Sequence, residues 1–366
     1  MKNFNLKNKI SAGVSKMAAY IPGEQPQGGG WIKLNTNESP YPPSPKVKEA
    51  ILNKLGDGSC LRLYPDPESK LLRQTVAKRY GVKPENAFAG NGSDDVLNLF
   101  VRAFSDKKLK IAALHPSYSL YPVLAKIQNA EFIDIDFDPN TKDLPVEKIV
   151  KSGANLFFLT NPNAPTSHQF PFKQVEALAK KFRGILLIDE AYEPFSKYES
   201  AKLVKKYKNT AICCTASKCW ALAGMRVGWA VASREIITEL DKVRDSYNLD
   251  ALAQVAAVAA LNDKAYYKNL VAKIKATRKS FSAFLKKLGW ELFDSSTNFV
   301  FVAPKNAKGK SSPKVAKELL DFLKANKILV RYFALDKAIN KYLRISIGTD
   351  SDMQTVQNTI LEWLKK

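Results

Sequence analysis

Through the middle of the chain, short runs of apolar, β-branched and aromatic residues alternate with segments of helical periodicity. The strand-like runs are KIAALH (110–115), AEFIDIDF (130–137), ANLFFLTN (154–161), GILLIDEA (184–191), NTAICCTA (209–216) and RVGWAVAS (226–233). Between them lie amphipathic stretches such as GSDDVLNLFVRAFSD, FKQVEALAKKF and SAKLVKKYK. Continuous apolar strands separated by helices predict an α/β fold: a three-layer α/β/α large domain whose mostly parallel sheet is covered on both faces. In such sheets ligands bind beyond the carboxyl ends of the strands. From about Tyr266 the pattern changes. A long lysine-rich helix leads into WELFDSSTNFVFVAP, a second helix (SPKVAKELLDFLKANK), then ILVRYF and YLRISIG. That order predicts a smaller α+β domain, which the N-terminal segment joins. The expected division is residues 1–50 (N-terminal segment), 51–264 (large domain) and 265–366 (small domain).

Composition narrows the class without naming a chemistry. In 366 residues, 45% are hydrophobic and 25% charged, as in ordinary globular proteins. The N-terminus MKNFNLKNKISAGVSK is basic but has no apolar run behind it, so no signal peptide is read. The most apolar helical stretch, LDALAQVAAVAALND, is too short to span a bilayer. A cytoplasmic protein without a membrane partner is expected. Cys60, Cys213, Cys214 and Cys219 have no metal-type spacing, and the adjacent pair reads as small buried hydrophobes. No metal is expected. The formal charge of +22 raises nucleic acid as a partner. Lysine-rich helix faces such as KLVKKYKN and FLKKLG account for it more simply, and no nucleic-acid-reading motif is present, so none is expected. A positive field also draws in small anionic substrates.

Four junctions after strand-like runs carry the candidate chemistry. In AGNGSDDVLNLF, Asn-Gly forces a turn and Ser93 reads as the N-cap of an apolar-periodic helix, whose first-turn N–H groups form an anion cup. FLTNPNAPTSHQF is a rigid loop able to hold a side-chain amide against a ligand. In LLIDEAYEPF, Asp189 ends an apolar strand, where a carboxylate needs a cation or donor, and Tyr192 follows three residues later. In TASKCWALAGMRVG, Thr215, Ser217 and Arg226 are able to grip a phosphate. Lys218 sits among them as an amine whose pKa burial and nearby cations would lower. Each feature alone has a bland explanation. Together they supply an amine, an acid for a pyridine nitrogen and anion donors, the set that pyridoxal 5′-phosphate requires.

These motifs resemble, in order, those of fold-type-I pyridoxal-phosphate-dependent aminotransferases, most closely the histidinol-phosphate aminotransferase family. LNTNESPYPPSP, RLYPDP, GNGSDD, HPSYSLY, NPNAPT, IDEAY, TASKCWALAGMRVG, LVRYF and LRISIGT carry the resemblance over nearly the whole chain. It implies that Lys218 is the Schiff-base lysine and proton shuttle. Asp189 would partner the pyridinium nitrogen, Tyr192 the phenolic oxygen, and Tyr118 would stack on the ring. Ser93 and Asp94 would bind the cofactor phosphate through backbone N–H groups; Thr215, Ser217 and Arg226 would bind it through side chains. Tyr64 would reach the phosphate of the neighbouring subunit, which implies a homodimer with shared sites. Arg344 would clamp the substrate carboxylate, Arg331 and Tyr20 would meet the distal anion, and Asn35 lies in the segment that closes over the site.

The sequence departs from the family pattern at several points. Ala164 and Ser167 stand where the family loop has a second Asn and a Gly, so the amide facing the phenolic oxygen is missing, and either Asn163 substitutes for it or Tyr192 acts alone. Ser39 and Pro42 replace an Asn and a Gly near the substrate mouth, and Cys219-Trp220 replaces the usual pair after the lysine. The expected reaction is ping-pong transfer of an amino group between histidinol phosphate and 2-oxoglutarate, in histidine biosynthesis. The rival readings are an aromatic or other aminotransferase, a threonine-phosphate decarboxylase-like enzyme, and a nucleic-acid-binding regulator on the same scaffold.

Overall fold

The computed structural model describes residues 4–15, 17, 22–138, 141 and 143–366. Seven strands form the large sheet: β2 (Ala87–Gly90), β3 (Ile111–His115), β4 (Phe132–Asp136), β5 (Leu156–Thr160), β6 (Ile185–Asp189), β7 (Thr210–Thr215) and β8 (Gly228–Val231), in the order β2-β8-β7-β6-β5-β3-β4. All pairings are parallel except those of β8, which runs antiparallel to both β7 and β2. The six strand-like runs read from the sequence all appear here. β2 is the addition: AFAG is short, and only its neighbours make it a strand.

Successive residues on these strands feed two different cores, because side chains alternate across a sheet. Phe157, Leu159, Leu186, Ile188, Ile212 and Cys214 pack on one face with helices Lys70–Tyr80, Phe172–Lys181 and Ala251–Asn262. Leu156, Phe158, Leu187, Ala211 and Cys213 pack on the other with helices Ser93–Phe104, Tyr121–Ile127 and Arg234–Val243. Burial on both faces explains why the strands read as unbroken apolar runs.

The second sheet comprises β1 (Ile32–Leu34), β9 (Glu291–Leu292), β10 (Phe299–Ala303), β11 (Ile328–Tyr332) and β12 (Leu343–Ser346), in the order β1-β11-β12-β10-β9. β1 pairs in parallel with β11, so the N-terminal segment is stitched into the C-terminal sheet. Residue 50 lies inside helix Pro45–Leu55, which packs on Ala251–Asn262. The 24-residue helix Lys264–Lys287 leads on to the small sheet. A further bridge is His115, whose Nδ1 lies 3.1 Å from Asp136 Oδ1 and whose Nε2 lies 3.1 Å from Asp336 Oδ2, joining the end of β3 to the loop after β11.

Candidate active site

The carboxyl ends of β5, β6 and β7 and the start of helix Ser93–Phe104 open into one cavity. The N-terminal segment and the small sheet close it from the other side. Each wall follows from its local sequence. β6 stops at Asp189, which is 4% exposed. Its Oδ2 accepts a hydrogen bond from Tyr121 Oη at 2.8 Å, and its Oδ1 accepts from the Ala191 N–H at 3.1 Å. Tyr121 also lies 2.6 Å from Thr160 Oγ1, which is 3.1 Å from Ser117 Oγ, so a hydroxyl chain stands behind the acid. Burial raises the Asp189 pKa to about 6, with Tyr121 and the Ala191 N–H opposing.

Lys218 follows β7 and points its Nζ at the Thr36 carbonyl, 3.1 Å away. Burial, then the Arg344 charge, lowers its pKa to about 8. The amine is therefore partly unprotonated near neutrality, as a nucleophile or proton acceptor must be.

The anion cup differs in one detail from expectation. Gly92, at φ +92°, is the N-cap rather than Ser93, and no side chain caps the helix. The first-turn N–H groups of Ser93, Asp94 and Asp95 thus have no capping side chain, and Asp95 instead receives the Asn91 N–H. A Cβ on Gly92 would sit 2.6 Å from Arg226 Nη2, and one on Gly228 would collide with the backbone of Gly92 and Ser93. Two glycines therefore keep helix start, β8 and guanidinium close together. Arg226 itself is held at φ +50°, a costly conformation for a residue with a side chain, and its Nη2 lies 3.7 Å from Asp94 Oδ2. Thr215 Oγ1 donates to Ser217 Oγ at 2.9 Å in the same wall.

The small sheet contributes Arg331 and Arg344, which are direct cross-strand partners on β11 and β12 and both line the cavity. Like charges in that register destabilise a sheet unless an anion relieves them. Arg344 donates to the Asn35 carbonyl at 2.9 Å and Arg331 to the Pro22 carbonyl at 3.3 Å. Asn35 is 3% exposed, and its Oδ1 has no hydrogen-bond partner among the described residues.

The cavity therefore gathers Asn35, Ser93, Asp94, Tyr118, Asp189, Tyr192, Thr215, Ser217, Lys218, Arg226, Arg331 and Arg344 from distant parts of the chain. Three expected residues are not among them. Tyr20 lies outside the described residues. Tyr64 is 79% exposed and stacks on Tyr247 at 4.3 Å. Asn163 is fully buried; its Oδ1 accepts from Thr166, its Nδ2 donates to the Pro116 carbonyl, and Ala164 and Pro165 face the cavity in its place. That amide is spent on holding its own turn through Oδ1 and on joining it to the segment after β3 through Nδ2. Tyr118 donates to Asp94 Oδ1 at 3.1 Å, and its ring meets Tyr121 edge-on. Sequence reasoning missed Tyr121, Thr160 and Asn37, which donates to Tyr192 Oη at 2.8 Å. Tyr121 stands in HPSYSLY and Asn37 in LNTNESP, so both were visible within motifs, but only the fold gives them partners.

Pyridoxal phosphate fits this set on structural grounds. A buried acid with no ion pair among the described residues suits a pyridinium nitrogen, an uncapped helix start held open by glycines suits a phosphate, and Lys218 supplies the amine. Comparison with known proteins points the same way. Residues 29–360 match the family described as aminotransferase class I and II. The histidinol-phosphate aminotransferase of Geobacter sulfurreducens is 44% identical over 95% of this chain and 97% of its own. That of Geotalea daltonii is 45% identical over 97% and 99%. Among solved structures, the histidinol-phosphate aminotransferase of Sinorhizobium meliloti in complex with pyridoxal-5′-phosphate superposes with a TM-score of 0.83 at 25% identity, covering 91% of each chain. A Thermus thermophilus aspartate aminotransferase variant reaches 0.81 at 20% identity, over 97% of this chain and 99% of that one, a likeness of fold.

Proposed function

The chain belongs to the class I and II aminotransferase family, and from that premise we propose that it transfers an amino group between histidinol phosphate and 2-oxoglutarate with pyridoxal phosphate, as a step of histidine biosynthesis. The observation that carries the reading is the convergence of Lys218, Asp189, the uncapped helix start at Ser93 and the Arg331–Arg344 pair on one cavity. When bound, pyridoxal phosphate supplies an electron sink for the carbanion left at the substrate Cα.

The chain's own residues supply the rest. Lys218, with its lowered pKa, would accept the proton from the substrate Cα and carry it to the cofactor carbon on the far side of the shared nitrogen. The negative charge of Asp189 keeps a proton on the ring nitrogen, and that pairing in turn brings the acid back to its ionised form. The N–H groups of Ser93 and Asp94, with Thr215, Ser217 and Arg226, hold the phosphate group of the cofactor. Tyr118 would cover the ring and Tyr192 would donate to its phenolic oxygen, both from the cavity lining. Arg344 binds the carboxylate of glutamate or 2-oxoglutarate, and Arg331 binds the distal anion, a carboxylate in one half-reaction and a phosphate in the other. The paired arginines favour a substrate bearing an anion over a plain aromatic amino acid.

A homodimer is part of the same reading. Leu61, Leu63, Tyr64 and Leu71 are each more than half exposed within one stretch, a costly surface for a monomer, and Tyr64 would enter the partner's site. A cytoplasmic location belongs to the reading too, with the four cysteines as free thiols.

The test is amino transfer from glutamate to a panel of phosphorylated and aromatic keto acceptors, with and without added pyridoxal phosphate. Preference for the phosphorylated imidazole acceptor is expected. Preference for aromatic acceptors, or carbon dioxide release without a keto acid, would replace the substrate assignment.

A further inference from the structure

Ala164 leaves the wall of the cavity beside Tyr192 without an amide, and Asn163 is committed elsewhere. We infer that Asn37 makes good the loss indirectly: it is a positioning residue that fixes the Tyr192 hydroxyl as a donor into the cavity. The inference rests on the pyridoxal-phosphate reading above and on the hydrogen bonds around Asn37.

Asn37 is 2% exposed and lies at φ +57°, a conformation Asn tolerates better than most residues. Every polar atom of it has a partner. Its N–H donates to Ser346 Oγ at 3.0 Å, and the Ser346 hydroxyl donates back to Asn37 Oδ1 at 2.9 Å. Its carbonyl accepts from Asn298 Nδ2 at 3.0 Å. With Oδ1 occupied by Ser346, the side-chain Nδ2 faces Tyr192 Oη and donates to it at 2.8 Å. A phenol that accepts a hydrogen bond becomes a stronger donor through its own O–H. That proton is then directed into the cavity that both residues line. A direct amide donor is thus replaced by a tyrosine whose donating power the amide reinforces from behind.

The arrangement also ties the Tyr192 hydroxyl to the small sheet. Ser346 is two residues beyond Arg344 on β12, so both side chains leave the same face of that strand. The residue that orients Asn37 and the arginine proposed to clamp substrate therefore move as one piece.

The readout is the pH midpoint at which the visible absorbance of the bound cofactor changes, which reports how well the phenolic oxygen is held as an anion and does not require turnover. Asn37→Gly keeps the backbone conformation and removes the donor; Asn37→Asp keeps the shape but offers Tyr192 an acceptor that draws its proton away from the cavity. Both are expected to raise the midpoint, by about one unit for Gly, a tenfold change in proton affinity, and by more for Asp. Asn37→Gly should add nothing to Tyr192→Phe, because it acts through that hydroxyl. Ala164→Asn should lower the midpoint in the parent chain and restore it in Asn37→Gly. An unchanged midpoint in Asn37→Gly, or an additive shift on Tyr192→Phe, overturns the inference. Should the Asn37 variants not fold, Ala164→Asn alone decides: an unmoved midpoint means the site is not short of a direct donor. A parent protein that takes up no cofactor at Lys218 would refute the underlying reading instead, so the two failures are distinct.

Discussion

At the scale of single residues, the site is paid for in stability. Asp189 titrates near pH 6 in the fold against about 3.8 in the unfolded chain, so the folded state holds this proton more tightly. Its contribution is fully present below pH 4 and is lost as pH rises through 6. In the cofactor-free protein at pH 7.5, Asp189→Asn should therefore raise stability, on the order of 2 kcal/mol, while abolishing transamination. Denaturant melts of parent and variant at pH 4.5 and 7.5 check this, and the gain should be clearly larger at the higher pH. Lys218 behaves in the opposite sense. Its pKa falls to about 8 in the fold from 10.5, so the charged amine costs stability at neutral pH and the cost fades as pH rises past 8. The rate at which cofactor-free protein takes up pyridoxal phosphate should climb through pH 8. Arg344→Gln, which removes the neighbouring cation, should move that midpoint upward; a stopped-flow pH series measures both.

At the scale of elements, the phosphate cup depends on how closely β8 passes the helix at Ser93. Gly228 pairs with Gly90 on one side and Thr215 on the other, and any Cβ there strikes the helix start. Gly228→Ala should weaken pyridoxal phosphate by roughly ten- to a hundredfold, from about 1–3 kcal/mol of overpacking. Its effect on phosphate-free pyridoxal should be much smaller, as competitive titrations would show. Much of this scale was legible in advance. The six apolar runs declare β3 to β8 because both faces of the sheet are covered, and Asp189 and Lys218 stood out as polar residues just past such runs. The antiparallel direction of β8 and the existence of β2 were not legible, since four residues with a single large apolar side chain, Phe88, carry no pattern and pairing direction is a tertiary property. Gly92 taking the cap from Ser93 escaped for a similar reason: the choice depends on a positive φ that β8 and Arg226 impose. Asn163 was misdirected by motif spacing, because the sequence does not say which way a loop amide turns.

At the scale of the whole molecule, two sheets share one cavity and the N-terminal segment is the seam between them. β1 is stitched to β11, while Thr36 and Asn37 reach Lys218 and Tyr192 in the large domain. For the proposed homodimer, Leu63→Glu should give a monomer by analytical ultracentrifugation and lose at least about tenfold in cofactor affinity, through loss of Tyr64 from the neighbouring subunit. A parent chain that sediments as a fully active monomer would exclude shared sites.

The proposed phosphate cup joins Ser93 to Thr215 and Arg226, which lie more than a hundred residues further along the chain and meet it because β8 inserts between β2 and β7. Closing such distant pairings is slow and comes late in assembly. Vitamin B6 therefore cannot nucleate this protein as it emerges from the ribosome; its capture would require β8 to be seated between β2 and β7, so the colour of the bound cofactor would double as a marker of that pairing.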